Sequence, residues 1–238
     1  MKKSILLFIT MLLLTLTSGV QAQTLKEVLD KHFKAIGQDK LSAMKTCFAK
    51  RTVSMRGNEF PMELKMKRPN KFRMEIDMQN QKMIQAYDGK EGWFITTRIS
   101  QQPMELSGDR LKEALSQTDI DGELYQYAQK GFKAELIGIE QQDGQDVFNI
   151  KLTSKNGGVK NYYIDANKYL IVMVKAKAGG MGQEAEVVKR MSNYKNFDGV
   201  LVATKIESES PMGTGSVTIN EIKFNQDIDD SVFKKPSN

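Results

Sequence analysis

Two neighbouring segments of the chain alternate between hydrophobic and charged residues, on either side of a turn at Arg68-Pro69-Asn70. Because successive side chains of a strand point to opposite faces, this pattern predicts two strands, each with one hydrophobic and one charged face. The hydrophobic positions are Met62, Leu64, Met66, Phe72, Met74, Ile76 and Met78. Such a hydrophobic face must pack against a helix, another sheet or a ligand.

Strand patterns dominate the rest of the chain as well. Residues 24–37 predict a helix that begins with a Thr-x-x-Glu capping box. Two short helices are expected near Leu111 and over 120–131, and a final helical turn at 229–233. Strands are expected at about 43–57, 60–68, 71–79, 81–87, 92–98, 132–140, 146–153, 159–165, 168–177, 185–195, 200–209 and 215–225. Hairpin spacing without repeated strand–helix alternation predicts a mainly β protein with an antiparallel sheet.

The first 22 residues have the features of a secretory signal peptide. Lys2 and Lys3 precede a hydrophobic run, and Val20-Gln21-Ala22 fits the small-residue rule for cleavage. A retained membrane anchor is the alternative, but the hydrophobic run is short for a membrane span. We therefore expect a cleavable signal peptide over 1–22, export to the periplasm of a Gram-negative bacterium, and a single domain over 23–238.

The charge balance bears on the partners of the protein. The chain has 35 Lys and Arg against 29 Asp and Glu, which gives a net charge of +6. The basic residues are interspersed with acidic ones along predicted strands, as on a solvated face, and export argues against nucleic acid. A weak attraction to anionic lipid surfaces is the alternative. We expect no nucleic-acid partner and a monomeric protein.

Few residues of the chain suit catalysis, metal binding or disulfide formation. The single cysteine, Cys47, excludes an internal disulfide, and with the single histidine, His32, it offers too few ligands for a metal site of the usual kind. His32 is either a residue packed at the edge of the core or a ligand or pH switch. Cys47 is either a small buried residue or a reactive thiol. No nucleophile-elbow sequence or metal-ligand cluster is present, so we expect no catalytic residue, no cofactor and no enzyme activity.

A more specific signal lies between residues 68 and 93. The motif Arg68-Pro69-Asn70-x-Phe72, followed by Asp88-Gly89-Lys90-x-x-Trp93, resembles the periplasmic carriers that take lipoproteins to the outer membrane, the LolA-like lipoprotein-sorting superfamily. The order of predicted elements is similar over nearly the whole of 23–238. Arg73-Met74 and the tail at 227–236 depart from the best-known carriers and are closer to the broader superfamily.

The resemblance implies an architecture and a site. It implies a curved antiparallel sheet that forms an incomplete β-barrel, closed by helices that act as a lid over a hydrophobic cavity for acyl chains. It also implies that Arg68, at the end of the hydrophobic face, holds the lid shut through hydrogen bonds to the lid backbone. The expected ligand-binding residues are Met62, Leu64, Met66, Arg68, Phe72, Met74, Ile76, Met78 and Trp93. Ordinary core packing is an equal explanation for Phe72 and Trp93.

Two functions follow from this resemblance. The first is non-enzymatic transport of lipoproteins or lipids through the periplasm, with an inner-membrane transporter as donor and an outer-membrane protein as acceptor. The many flexible methionines, 14 in the chain, suit a cavity for varied acyl chains, although a methionine-rich core explains them nearly as well. The second is an envelope lipid sensor or regulatory interaction protein of the same fold.

Overall fold

The computed structural model describes residues 23–180, 183–211 and 213–236. The predicted signal peptide, 1–22, lies outside the described residues. The helices are α1 (Leu25–Ile36), α2 (Gln38–Ala43) and α3 (Gly108–Ser116), and a short 3-10 helix spans Asp230–Phe233. The strands are β1 (Thr46–Met55), β2 (Asn58–Lys67), β3 (Lys71–Met78), β4 (Gln81–Tyr87), β5 (Gly92–Thr96), β6 (Ser100–Glu105), β7 (Lys133–Gln142), β8 (Gln145–Thr153), β9 (Val159–Asp165), β10 (Ile171–Gly180), β11 (Gln183–Phe197), β12 (Val200–Ser210) and β13 (Gly213–Phe224).

All 13 strands of the described ranges belong to one antiparallel sheet. Their order is β6-β5-β4-β3-β2-β1-β13-β12-β11-β10-β9-β8-β7, so every neighbour is a sequential hairpin partner except β1 and β13. That one pair joins an N-terminal half, β1–β6, to a C-terminal half, β7–β13. The sheet is not closed, because β6 and β7 are its two edges. The predicted mainly β fold, an open curved sheet with few helices, is confirmed.

Each half of the sheet has a hydrophobic core on the same side. In the N-terminal half, Leu64 is paired with both Ala49 and Met74, and this face continues through Cys47, Met66 and Phe72 to α3. In the C-terminal half, helix α1 covers the sheet. Its buried residues Val28 and Leu29 pack in a cluster that includes Ile150, Leu152 and Ile164.

Local sequence explains how α1 is positioned. Thr24 and Glu27 form the predicted capping box, in which each side chain accepts a backbone hydrogen bond from the other residue. Gly37 ends the helix with a φ of 71°, a left-handed conformation that glycine adopts at little cost. Helix α2 begins at the next residue, Gln38, so the chain turns sharply at Gly37 and runs to β1.

The opposite, outer face of the N-terminal half is partly covered by the C-terminal tail. We call residues 226–236 the C-terminal strap. Its Phe233 is fully buried, and the Phe233 carbonyl accepts a hydrogen bond of 2.8 Å from Trp93 Nε1. Asp230 of the strap forms ion pairs with Lys67 and Lys71. The charged face predicted for β2 and β3 therefore binds another part of the same chain.

Three segments differ from the secondary structure predicted from the sequence. The helix expected over 120–131 is wrong: this segment forms successive turns, and Gly122 (φ 79°) and Gln126 (φ 52°) have left-handed conformations that interrupt a helix. Helix α2 was not predicted, because its six residues are too few for a clear periodicity. Strand β6 was not predicted either; it contains Pro103, which a strand tolerates at the edge of a sheet.

Candidate functional site

A cavity of about 520 Å³ lies where the two halves of the sheet meet. Strands β1, β2, β3 and β13 contribute one part of its wall and β9–β12 another, while α1, α2 and the segment 117–125 cover it. We call residues 117–125 the lid loop. The volume is within the range of about 300–1,000 Å³ that is usual for small-molecule sites.

Most of the wall is hydrophobic. Leu64, Met66 and Met74 line the cavity from β2 and β3, and Ile219 and Ile222 line it from β13. Further hydrophobic residues come from the helices, the lid loop and the C-terminal half of the sheet: Phe33, Ile36, Leu41, Ile120, Leu124, Ile171, Val200, Leu201, Val202, Ala203 and Phe224. A wall of this composition favours an apolar ligand because every buried methylene contributes about 0.8 kcal/mol.

Arg68 joins the sheet to the elements that cover the cavity. Its Nε donates a hydrogen bond of 2.7 Å to the Met44 carbonyl, and one Nη donates to the Leu41 carbonyl at the end of α2. The guanidinium also forms a two-pronged ion pair with Asp121 of the lid loop, at 2.6 and 2.9 Å. Such a bidentate pair is geometrically specific as well as strong. Arg68 therefore binds α2 and the lid loop at once.

The lid loop is held at a second point, on the C-terminal half of the sheet. Glu123 accepts hydrogen bonds from Lys160 Nζ at 2.6 and 2.7 Å and from the Tyr162 hydroxyl at 2.6 Å. Burial, together with the charge of Glu123, raises the pKa of Tyr162, so this hydroxyl stays protonated and remains a donor. The lid loop thus bridges the two halves of the sheet through two carboxylates.

Asp121 is the centre of a small polar network. Besides Arg68, it accepts hydrogen bonds from Ser42 Oγ at 2.9 Å and Gln38 Nε2 at 3.2 Å. Burial acts to raise the pKa of Asp121, but the hydrogen bonds from Arg68 and Ser42 outweigh it and hold the pKa below its ordinary value. The carboxylate is therefore ionised at neutral pH, as the ion pair requires.

The two residues whose roles the sequence left open, His32 and Cys47, both line the cavity. The His32 ring is buried, and its Nδ1 lies 2.8 Å from the Tyr169 carbonyl, so Nδ1 carries the proton. Burial lowers the pKa of His32 despite this hydrogen bond. Burial likewise raises the pKa of the Cys47 thiol. Both groups are therefore neutral at pH 7 and behave as wall residues.

One charged residue of the wall, Arg51, was not among the residues predicted to bind the ligand. It follows Cys47 and Ala49 on the inward face of β1, and all three line the cavity. The Arg51 Nε is inaccessible to solvent and has no hydrogen-bond acceptor. The sequence did contain a sign of this position. In the alternating pattern of β1, Arg51 falls on the same face as Cys47, Ala49 and Val53.

The residues predicted to bind the ligand are distributed over three places. Leu64, Met66 and Met74 line the cavity, and Arg68 lies at its edge and binds the lid loop. The remaining hydrophobic residues of β2 and β3 share this face but lie outside the lining: Met62, Phe72, Ile76 and Met78. Trp93 lies on the outer face, since it is paired with Ala86, which is itself paired with Arg73. There Trp93 packs beneath the C-terminal strap, so it is not a cavity residue.

Two further observations concern possible metal and membrane sites. Within the described ranges, no group of three or more His, Cys, Asp and Glu residues is placed to hold a metal ion. None of the described helices has the length and hydrophobicity that crossing a membrane requires.

Comparison with known proteins identifies the family and the fold. A family model described as "Uncharacterized protein" matches residues 71–237, well over half of the chain. The chain belongs to this family. No curated protein matches the sequence.

Solved structures extend the comparison at the level of the fold. A domain assigned to the outer membrane lipoprotein-sorting proteins, from Vibrio parahaemolyticus, has a TM-score of 0.61 at 14% identity and covers 87% of this chain and 97% of its own. A LolA superfamily protein from Nitrosomonas europaea has a TM-score of 0.60 at 16% identity, with 90% and 99% covered. A DUF1329 family protein from Desulfovibrio piger gives 0.60 at 14% identity, with 87% and 97% covered. The predicted LolA-like resemblance is thus confirmed for the fold.

Proposed function

We propose that this protein binds the acyl chains of a lipoprotein or lipid in its cavity and carries them through the periplasm toward the outer membrane. The observation that carries the proposal is a hydrophobic cavity of about 520 Å³ between the sheet and a lid loop held by Arg68. The binding is non-covalent and the cargo leaves chemically unchanged. A LolA superfamily protein and a lipoprotein-sorting domain have the same fold, which supports a carrier role.

The volume of the cavity limits how much of a cargo it can hold while the lid loop is closed. At about 520 Å³ the cavity is in the range of sites for a single small ligand. A cargo with several acyl chains therefore requires the lid loop to move away from the sheet. At about 0.8 kcal/mol per methylene, a long chain supplies enough free energy to offset that opening.

The lid loop is held by two carboxylates, so it can open when one of them is released. Release of Asp121 from Arg68 removes the ion pair between the loop and the N-terminal half of the sheet, while Glu123 stays bound to Lys160 and Tyr162. Hydrogen bonds to charged groups are worth about 1.5–3 kcal/mol each, so the closed state is stable but reversible. An inner-membrane transporter would load the carrier and an outer-membrane acceptor would unload it, with the carrier acting as a monomer.

The proposal is tested by native mass spectrometry of the protein purified from the periplasm, with extraction and identification of any bound lipid. We expect bound acylated peptide or lipid. A protein that is free of lipid and also fails to bind added lipids would contradict the proposal. Binding that alters affinity for a protein partner, without transfer between membranes, would instead support the sensor function.

A pair of matched variants locates the site. Met74 lines the cavity, whereas Met78 lies four residues further along the same face of β3, outside the lining. Both side chains are half-buried, so the same substitution disturbs each strand similarly. We expect Met74→Asp to weaken lipid binding at least tenfold while the protein stays folded, and Met78→Asp to bind nearly normally. Equal effects of the two variants would place the ligand elsewhere.

A further inference from the structure

Arg51 is a charged residue without a partner in a hydrophobic wall. It is paired across the sheet with Met62 on one side and Ile219 on the other, both buried and hydrophobic. No described residue accepts a hydrogen bond from Arg51 or forms an ion pair with it, and its Nε is closed off from solvent. Burying a charge without a partner is costly, so a folded protein rarely keeps one unless it has a use.

The acidic residues of the cavity do not supply that partner. Asp119, Asp121 and Glu123 all line the cavity from the lid loop, and each is already bound to a different basic residue. Their partners are Lys130, Arg68 and Lys160, respectively. Arg51 is thus the one unpaired cation among the described lining residues, and the guanidinium remains charged because arginine does not lose its proton in proteins.

Arg51 places a positive charge in a wall that is mostly hydrophobic. Cys47 and Arg51 lie four residues apart on the same face of β1, roughly 13 Å along the strand backbone. The long Arg51 side chain brings its charge close enough to interact with the Cys47 thiol. Hydrophobic residues from both halves of the sheet line the space around this stretch. A ligand that fits both features has a hydrophobic chain and an acidic group at one end.

We propose that the cavity binds a single-chain anionic amphiphile, with the carboxylate of an acyl chain paired to Arg51. The proposal rests on the proposed acyl-binding function and adds a ligand for the closed cavity, a free fatty acid, because the ester- or amide-linked chains of a larger cargo have no carboxylate to pair with Arg51. A carboxylate carries one negative charge and matches the planar guanidinium with two parallel hydrogen bonds. A phosphate monoester carries about 1.5 to 2 negative charges, which the single Arg51 would leave partly uncompensated. A neutral acyl ester or alcohol would leave Arg51 unpaired.

The affinity test uses the protein freed of lipid and two probes of equal chain length, hexadecanoate and hexadecan-1-ol, each kept below its solubility limit, and measures how well each displaces a bound fluorescent acyl probe. We expect the wild-type protein to bind hexadecanoate about tenfold or more tightly than the alcohol. Arg51→Met should lose this preference and bind the two probes with equal affinity. Arg98→Met is the matched control: Arg98 is exposed, and the same substitution there should leave the preference intact.

A thermal measurement distinguishes a ligand-binding role from a structural one. Without lipid, Arg51→Met should melt at a higher temperature than the wild type, because it removes an unpaired buried charge. Hexadecanoate should then raise the melting temperature of the wild type more than that of the variant. A lower melting temperature of the lipid-free variant would show that Arg51 is structural and would overturn the proposal.

The remaining outcomes separate the two proposals. Equal affinity of the wild type for hexadecanoate and the alcohol would overturn the role of Arg51 while leaving the acyl-binding function in place. Failure to bind either probe would overturn the proposed function itself. Tighter, Arg51-dependent binding of hexadecyl phosphate would overturn the assignment of a carboxylate.

Discussion

At the scale of single residues, Arg68 joins α2 to the lid loop, and our proposal assigns closure of the cavity to this contact. Its guanidinium donates to two carbonyls and to both oxygens of Asp121. Arg68→Leu would remove all of these hydrogen bonds, at a cost of about 1–3 kcal/mol to the closed state. We expect backbone amides of the lid loop to exchange hydrogen roughly tenfold faster or more. Release or reception of the cargo should also change, because the equilibrium between the closed and open lid loop shifts. Hydrogen exchange followed by mass spectrometry measures the first effect.

The Arg68 experiment has a control and an internal check. Arg98→Leu removes an exposed arginine and should leave exchange in the lid loop unchanged. Asp121→Asn should act on the same contact, so the double variant with Arg68→Leu should add little to either single one. Additive effects, or normal exchange in Arg68→Leu, would show that another contact holds the lid loop.

At the scale of elements, the C-terminal strap stabilises the outer face of the sheet. Phe233 is fully buried, and its carbonyl binds Trp93, the single tryptophan of the chain. We expect Phe233→Ala to lower the free energy of unfolding by about 3–5 kcal/mol, in the range measured for buried phenylalanines. Urea denaturation followed by Trp93 fluorescence measures this change. Lys235→Ala, an exposed position of the same strap, should have almost no effect, and an equal loss in both would rule out a specific role for Phe233.

Docking of the strap should also depend on pH through Asp230. Hydrogen bonds from Lys67 and Lys71 lower the pKa of Asp230 to about 2, from an ordinary value of 3.8. Because the pKa is lowered in the folded state, the ion pairs contribute fully above pH 3.8 and are lost as the pH falls toward 2. We expect Trp93 fluorescence to report loosening of the strap within this window. Asp230→Asn should remove that dependence; an unchanged acid response would assign it to other carboxylates.

The sheet could be predicted because the patterns that specify its strands lie in residues close together in the sequence. Alternation along β2 and β3 defines which residues face inward, and the structure pairs Leu64 with Met74 as that alternation requires. The capping box at Thr24 and the glycine at Gly37 likewise determine α1 from adjacent residues. Hairpin connections then leave few ways to order the strands, so an antiparallel sheet follows.

The parts that sequence reasoning missed depend on contacts between distant residues. The lid loop resembles a helix in its pattern, yet Asp121 and Glu123 bind Arg68 and Lys160, and these long-range contacts take the place of helical hydrogen bonds. Trp93 was expected to face the cavity. Strand β5 is hydrophobic on both faces, however, so its sequence does not show which face turns toward the cavity. Trp93 lies on the other face, under the C-terminal strap. That Arg51 has no partner can be recognised only when the positions of all its neighbours in space are known.

At the scale of the whole molecule, a carrier differs from a sensor in what happens after binding. The cavity lies at the junction of the two halves of the sheet, and the lid loop is bound to both. In our proposal, release of the loop at Arg68 uncovers the site while Glu123 keeps the loop attached to the C-terminal half. That arrangement predicts exchange of cargo with a membrane. A peptide with two acyl chains is a suitable probe because two chains anchor it stably and its spontaneous transfer is slow.

We expect the wild-type protein to move a fluorescent diacylated peptide from donor to acceptor vesicles at a rate proportional to protein concentration. Met74→Asp should abolish the acceleration because it places a charge in the wall that the acyl chains contact, whereas Met78→Asp should retain it. Arg68→Leu should alter the rate because the lid loop opens more readily. If the wild type binds the peptide but does not speed its transfer, the protein is a sensor, and the lid loop serves to signal occupancy of the cavity.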